Sequence, residues 1–188
     1  MNYRIFITGS GIAEEAMQLL RQTNCETEVG EPTDTPADLM RKLGSFDPHG
    51  LIVRQGQITA DVQASAKSLK VICKHGVGTD NIDIEAATRR GIPAMFTPGQ
   101  NSEAVAEHTL GLILALARQI PSQDKRIRSG IFDKRGFNGT ELRGKTIGLI
   151  GYGRIGRRLV ELLSPFNMNV IVYHPSYTTE TMPDYVSK

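Results

Sequence analysis

The sequence predicts an α/β protein built on parallel sheets, and three observations carry that prediction. Short apolar runs rich in β-branched residues recur along the chain, segments of helical period separate them, and one run leads into a glycine-punctuated turn that opens a helix. The 188 residues, 39% of them hydrophobic, suffice for one ordinary core or two small ones, so a folded protein is expected.

The strands are expected at residues 4–8, 51–54, 70–74, 93–97, 146–150 and 169–173. Near-continuous apolar strands of this kind suit parallel sheets covered by helices on both faces. The helices between them have readable starts. Thr35-Pro36-Ala37-Asp38 supplies a hydroxyl cap, a proline at the first helical position and a first-turn acid, ahead of Leu39, Met40 and Leu43. Thr59 precedes 60–68 in the same way, and Asp83 precedes 84–90, which stops at Gly91-Ile92-Pro93. Asn101 or Ser102 opens the longest helix, running to about Gln119, where Pro121 limits continuation. Its second half, 110–117, is apolar around most of its circumference and calls for burial on several sides, between domains or between subunits. Residues 120–144 are polar and locally basic (Lys125, Arg126, Arg128, Lys134, Arg135), without clean period, and read as a solvated linker.

Charge excludes several function classes. With 22 basic against 20 acidic residues the net charge is +2, too weak a field to single out nucleic acid or anionic lipid. Cys25 and Cys73 fit neither a CxxC spacing nor a disulfide framework, and read as structural thiols in a reducing compartment. No metal site is expected. The N-terminus lacks a secretory pattern, and the longest greasy stretch, 110–117, is far short of the roughly 20 residues that span a bilayer. A cytoplasmic protein is the simplest expectation.

The motif of most weight is the strand 146–150 followed by Gly151-Tyr152-Gly153-Arg154-Ile155-Gly156 and a helix over 157–164, with 169–173 as the second parallel strand. In such a G-x-G-x-x-G turn Gly151 permits the tight bend, Gly153 lets the backbone approach a diphosphate, and Gly156 lets helix and strand pack closely. The helix N-terminus then offers unbonded N–H groups and a positive dipole end to the phosphates. The βαβ context makes a dinucleotide site of the Rossmann type the expectation. Where an NAD site usually carries a carboxylate for the ribose, roughly 20 residues past the first glycine, this chain has His174, in Tyr173-His174-Pro175-Ser176. NAD, with His174 bonding the ribose, and NADP, with His174 or Ser176 meeting the 2′-phosphate, both stay open. Thr8-Gly9-Ser10-Gly11 imitates such a turn, but Glu14 stands in the place of the third glycine, so an ordinary βα loop is expected there.

Several motifs in order, 51–54 (LIVR), 75–83 (HGVGTDNID), 85–93 (EAATRRGIP), 97–108 (TPGQNSEAVAEH) and 142–156, resemble the D-2-hydroxyacid dehydrogenase family, phosphoglycerate dehydrogenase above all. The resemblance covers nearly the whole chain. It implies a flavodoxin-like parallel-sheet substrate domain over 1–100, an interdomain and dimer helix over 101–119, and an incomplete Rossmann domain over 120–188. It implies that Arg54 lies near the acidic groups of a small 2-hydroxy or 2-oxo acid, that the amides of Val77 and Gly78 face the substrate carboxylate and the cofactor, that Arg154 and Ile155 meet the diphosphate, and that Asn101 lines the substrate site. Asn101 has a second reading as the cap of the long helix.

The family's hydride transfer also uses an arginine, an acid and a histidine from the second half of the Rossmann domain, and these have no counterpart in residues 1–188. His49, His75, His108 and His174 each have another reading and are not promoted to replace that histidine. Weak or no turnover is therefore expected of this chain, with apolar positions Ile147, Leu149, Val170 and Val172 left uncovered. The alternative from a different class is a non-catalytic dinucleotide-sensing or dimerisation module of the same fold.

Overall fold

Parallel strands and helices alternate along the chain in the computed structural model, which describes residues 2–133, 135–173 and 186–187. They sort into two units, Met1–Gln100 and Asn101–Lys188.

In the first unit β1 (Tyr3–Thr8), β2 (Cys25–Val29), β3 (Gly50–Val53), β4 (Val71–Lys74) and β5 (Ala94–Met95) form one parallel sheet of order β2-β1-β3-β4-β5. That is the flavodoxin-like order. Register is continuous, with Phe6 beside Leu51 and Leu51 beside Ile72. These three side chains sit on one face and are sealed by Leu39 and Leu43 of α2 (Pro36–Phe46), Val62 of α3 (Ala60–Ser65) and Ala87 of α4 (Ile84–Arg89). Intervening positions such as Ile5, Ile52 and Cys73 are only half-buried, so one face is closed more fully than the other. α1 (Glu14–Gln22) has no buried residue.

The caps work as the sequence implies. Thr35 and Asp38 form a reciprocal capping box on α2, Val62 N–H donates to Thr59 Oγ1 at 3.3 Å on α3, and Ala86 N–H donates to Asp83 Oδ1 at 2.8 Å on α4. α3 is shorter than expected and ends at Ser65, because Ala66 has extended backbone.

In the second unit β6 (Thr146–Ile150), β7 (Asn169–Tyr173) and β8 (Val186–Ser187) form a parallel sheet in that order, the first half of a Rossmann sheet. α5 (Ser102–Ala117) and α7 (Arg154–Leu163) cover one face through Ala106, Leu159 and Leu163, with Leu110 and Ile113 packed alongside. The expectation of an uncovered face needs correcting. Val170 and Val172 are buried beneath α7, and Ile147 and Leu149 pack against them. Side chains alternate across a strand, so the face left open carries Ile171, Tyr173 and Ile150, the last 94% exposed.

α5 buries Ala106 with Leu159 and Leu163, while Leu112 and Leu116 are exposed on the single chain. The segment after it is not all linker. α6 (Ile120–Arg128) takes Pro121 into its first turn, where a missing N–H is tolerated, and the break between the two helices is Gln119 in the left-handed region at φ 54°.

Candidate functional site

The glycine turn of the second unit is assembled from the end of β6. Gly151 has φ +99°, a conformation that suits glycine, and its N–H donates to Tyr173 O at 2.8 Å, which ties the bend to the end of β7. Tyr152 turns inward and is buried with Val160, Val170 and Val172, anchoring the bend from beneath. Gly153 then occupies the N-cap position of α7 with extended backbone and no side-chain cap. A Cβ placed on Gly153 meets nothing within 4 Å, whereas one on Gly156 would lie 2.7 Å from Gly151 O. The two glycines thus serve different ends: Gly156 allows helix and strand to touch, and Gly153 keeps the space above the helix end clear.

This arrangement fits a diphosphate. The first turn of α7 holds no acid, its leading amides lack a side-chain cap, and Arg154 and Ile155 are exposed on it. Gly151, Gly153, Arg154, Ile155 and Gly156 therefore come together as one turn. His174 lies outside the described residues.

The first unit has its own candidate site, at the carboxyl ends of β1, β3 and β4. In a sheet of order β2-β1-β3-β4-β5 the connections diverge between β1 and β3, and ligands bind in the crevice outside the strand ends at such a switch point. Arg54 is the first residue after β3. Its N–H donates to Thr8 Oγ1 at 3.0 Å, and Thr8 Oγ1 donates in turn to Gln55 O at 2.6 Å. Lys74 Nζ reaches Arg54 O at 3.4 Å and Asn81 Oδ1 at 2.8 Å, while Asn81 Nδ2 donates to Gly56 O at 2.7 Å. Burial pushes the Lys74 ammonium below its ordinary pKa, against the opposing pull of Asp80.

Val77 and Gly78 lie in the loop after β4. Its start is held by His75 N–H to Val53 O at 2.9 Å and its far end by Ile58 N–H to Asn81 O at 2.8 Å. Gln63, fully buried, donates from Nε2 to Ile58 O and Asp83 O and braces the same two loops from below. Asn101 opens α5 in the second unit, exposed, and its side chain makes no capping hydrogen bond, so the cap reading is not realised. His49 has a structural task, accepting from Arg4 N–H at 3.0 Å on Nδ1 with its ring edge-on to Tyr3. Among the described residues no cluster of three metal-ligating side chains occurs.

Sequence reasoning passed over Thr8, Lys74 and Asn81, which hold the Arg54 backbone and its loop, because their roles depend on strands distant in sequence meeting side by side. It also set aside Gly9 and Gly11, whose only signal was the glycine pair itself.

The family model of the D-isomer specific 2-hydroxyacid dehydrogenase catalytic domain matches residues 5–188. The chain is 41% identical over 170 residues to a D-3-phosphoglycerate dehydrogenase of Archaeoglobus fulgidus, covering 90% of this chain and 32% of the relative. It is 37% identical over 186 residues to a hydroxypyruvate reductase of Thermotoga maritima, covering 98% of this chain and 60% of the relative. The crystal structure of the TT0316 protein of Thermus thermophilus superimposes with a TM-score of 0.87 at 34% identity, over 96% of this chain and 58% of that one. The chain thus spans about a third of the phosphoglycerate dehydrogenase and about three fifths of the other two.

Proposed function

Because the chain belongs to the D-isomer specific 2-hydroxyacid dehydrogenase family, we propose that it serves an NAD(P)-dependent oxidoreductase acting on the CH–OH group of a small acidic 2-hydroxy acid, in the manner of phosphoglycerate dehydrogenase. The carrying observation is the open space over Gly153 at an uncapped helix end, with Gly156 packed on Gly151 behind it. The nicotinamide cofactor, when bound, supplies or accepts the hydride. Residues of this chain bind and orient. Gly151, Gly153, Arg154, Ile155 and Gly156 take the diphosphate on backbone amides, and His174 is assigned to the ribose, where it is compatible with NAD and with NADP.

Residues 1–100 are assigned to substrate, residues 101–119 to a dimer helix and residues 120–188 to cofactor. Arg54 supplies positive charge to the acidic group of the substrate, the amides of Val77 and Gly78 donate to its carboxylate with Val77 also meeting the cofactor, and Asn101 is assigned to the same substrate. A second copy of the chain is the partner proposed for α5, supported by exposed Leu112 and Leu116 on a helix apolar around most of its girth. Free Cys25 and Cys73 support a cytoplasmic location; no described helix is long and apolar enough to cross a membrane. Residues 1–188 by themselves are proposed to bind without appreciable turnover, since the resemblance assigns the family's hydride-transfer arginine, acid and histidine to the second half of the Rossmann domain.

Fluorescence titration of the chain with NADH and NADPH tests the reading. Saturable binding that is lost in Gly153→Ala supports it, and no binding of either nucleotide sinks it. A steady-state assay with phosphoglycerate and either nicotinamide should show little or no turnover. A rate matching an intact dehydrogenase would overturn the proposal of inactivity.

A further inference from the structure

The loop after β1, Gly9-Ser10-Gly11, runs over the two residues that follow β3. Gly9 at φ +84° and Gly11 at φ +87° are both left-handed. A Cβ on Gly9 would lie 2.8 Å from Gln55 Oε1, and one on Gly11 would lie 2.6 Å from Arg54 Nη1. The two glycines therefore each make room for one of two consecutive side chains across the β1/β3 switch point. Thr8, itself 1% exposed, bonds the main chain of the same pair at Arg54 N–H and Gln55 O. The backbone of Arg54 is thus locked by Thr8 and Lys74, while its guanidinium lies against the face of Gly11. Its Nε is shielded from solvent and meets no acceptor among the described residues.

We propose that Gly11 is a positioning residue for substrate recognition: by lacking a Cβ at a left-handed position, it lets the Arg54 guanidinium lie against the β1 loop and so sets where the anionic group of the acid is held. This rests on the assignment of Arg54 to the substrate. The physical distinction from a merely structural glycine lies in what would collide. At Gly156 the obstacle is a backbone carbonyl, which cannot withdraw, whereas at Gly11 it is the far end of a flexible arginine, which can. A methyl group at Gly11 therefore displaces the guanidinium and leaves the core in place. A planar fork that recognises a carboxylate or phosphate by two parallel hydrogen bonds loses affinity steeply when it is turned.

The test uses the 188-residue chain labelled with ¹⁵N, reading the Arg54 Nε–Hε resonance and the affinity for D-3-phosphoglycerate by titration. Gly11→Ala is expected to shift that resonance and weaken binding roughly ten-fold. Gly91→Ala is the control, because Gly91 is also left-handed (φ +66°) with nothing within 4 Å of its Cβ position, and it should leave both readouts unchanged. Gly11→Asn, which tolerates a left-handed backbone, keeps the test open if the alanine variant folds poorly. On an Arg54→Ala background the Gly11→Ala loss should vanish; a loss that persists shows that Gly11 acts on the fold and overturns the inference. If Arg54→Ala weakens binding and Gly11→Ala moves neither readout, the inference fails and the Arg54 assignment stands. If Arg54→Ala binds phosphoglycerate as the unsubstituted chain does, or that chain does not bind it, the assignment fails and the inference falls with it.

Discussion

Arg158 of α7 meets Glu103 of α5 fork to carboxylate, with Nε to Oε2 at 2.6 Å and Nη2 to Oε1 at 2.8 Å, while its Nη1 reaches Glu161 at 2.7 Å. The pair joins the first turn of the long helix to the helix that carries the glycine turn. The hydrogen bonds from Arg158 hold the Glu103 carboxyl below its ordinary value of 4.5. A carboxyl depressed in the folded state stabilises fully above its unfolded value, and that contribution is lost as pH falls below 4.5 through the folded value. Thermal melts of Glu103→Gln should therefore show a lowered Tm at about pH 7, with the difference from the unsubstituted chain closing toward acid pH. Because the pair is partly exposed, added salt should shrink the difference as well. A gap that stays constant from about pH 7 to about pH 3 would argue against the pair.

Gly156 and Gly153 should separate stability from binding. Alanine at Gly156 forces its Cβ onto Gly151 O, and overpacking against backbone of this kind costs about 1–3 kcal/mol. Alanine at Gly153 meets open space and ordinary backbone angles, so stability should change by about 0.5 kcal/mol or less. Both variants should bind dinucleotide roughly ten-fold or more weakly, the first through a distorted turn and the second by obstructing the phosphates. Denaturation midpoints beside nucleotide titrations check this, and a destabilised Gly153→Ala would contradict it.

Leu116 is 83% exposed near the end of α5. Leu116→Glu should leave the melting of the chain within a few degrees of its starting point while shifting sedimentation from dimer toward monomer. An unaltered sedimentation profile, monomeric in both proteins, removes α5 as the face of self-association.

On the proposed assignment of His174 to the ribose, His174→Asp supplies the carboxylate with which dinucleotide sites hold the ribose hydroxyls and repel a 2′-phosphate. The affinity ratio of NADH to NADPH should rise, roughly ten-fold or more, since specificity is a difference between two affinities. An unchanged ratio would place the ribose elsewhere.

The sequence by itself determined those features whose causes lie within a few residues of one another. Thr35, Thr59 and Asp83 announce their helices because a cap bonds its own first turn, and the spacing Gly151, Gly153, Gly156 announces the turn because its mechanics are local. β2 was hidden because Glu26 and Glu28 alternate along an edge strand that buries little, and α1 and α6 were hidden because neither buries a residue. Tertiary structure alone decided which face of the β6–β7 sheet is covered, since a period of two marks two faces without saying which one α7 will take. It alone decided that Gly11 lies against Arg54, far away along the chain. Contacts of that kind follow from the order in which parallel strands come to lie side by side, and no local pattern encodes that order.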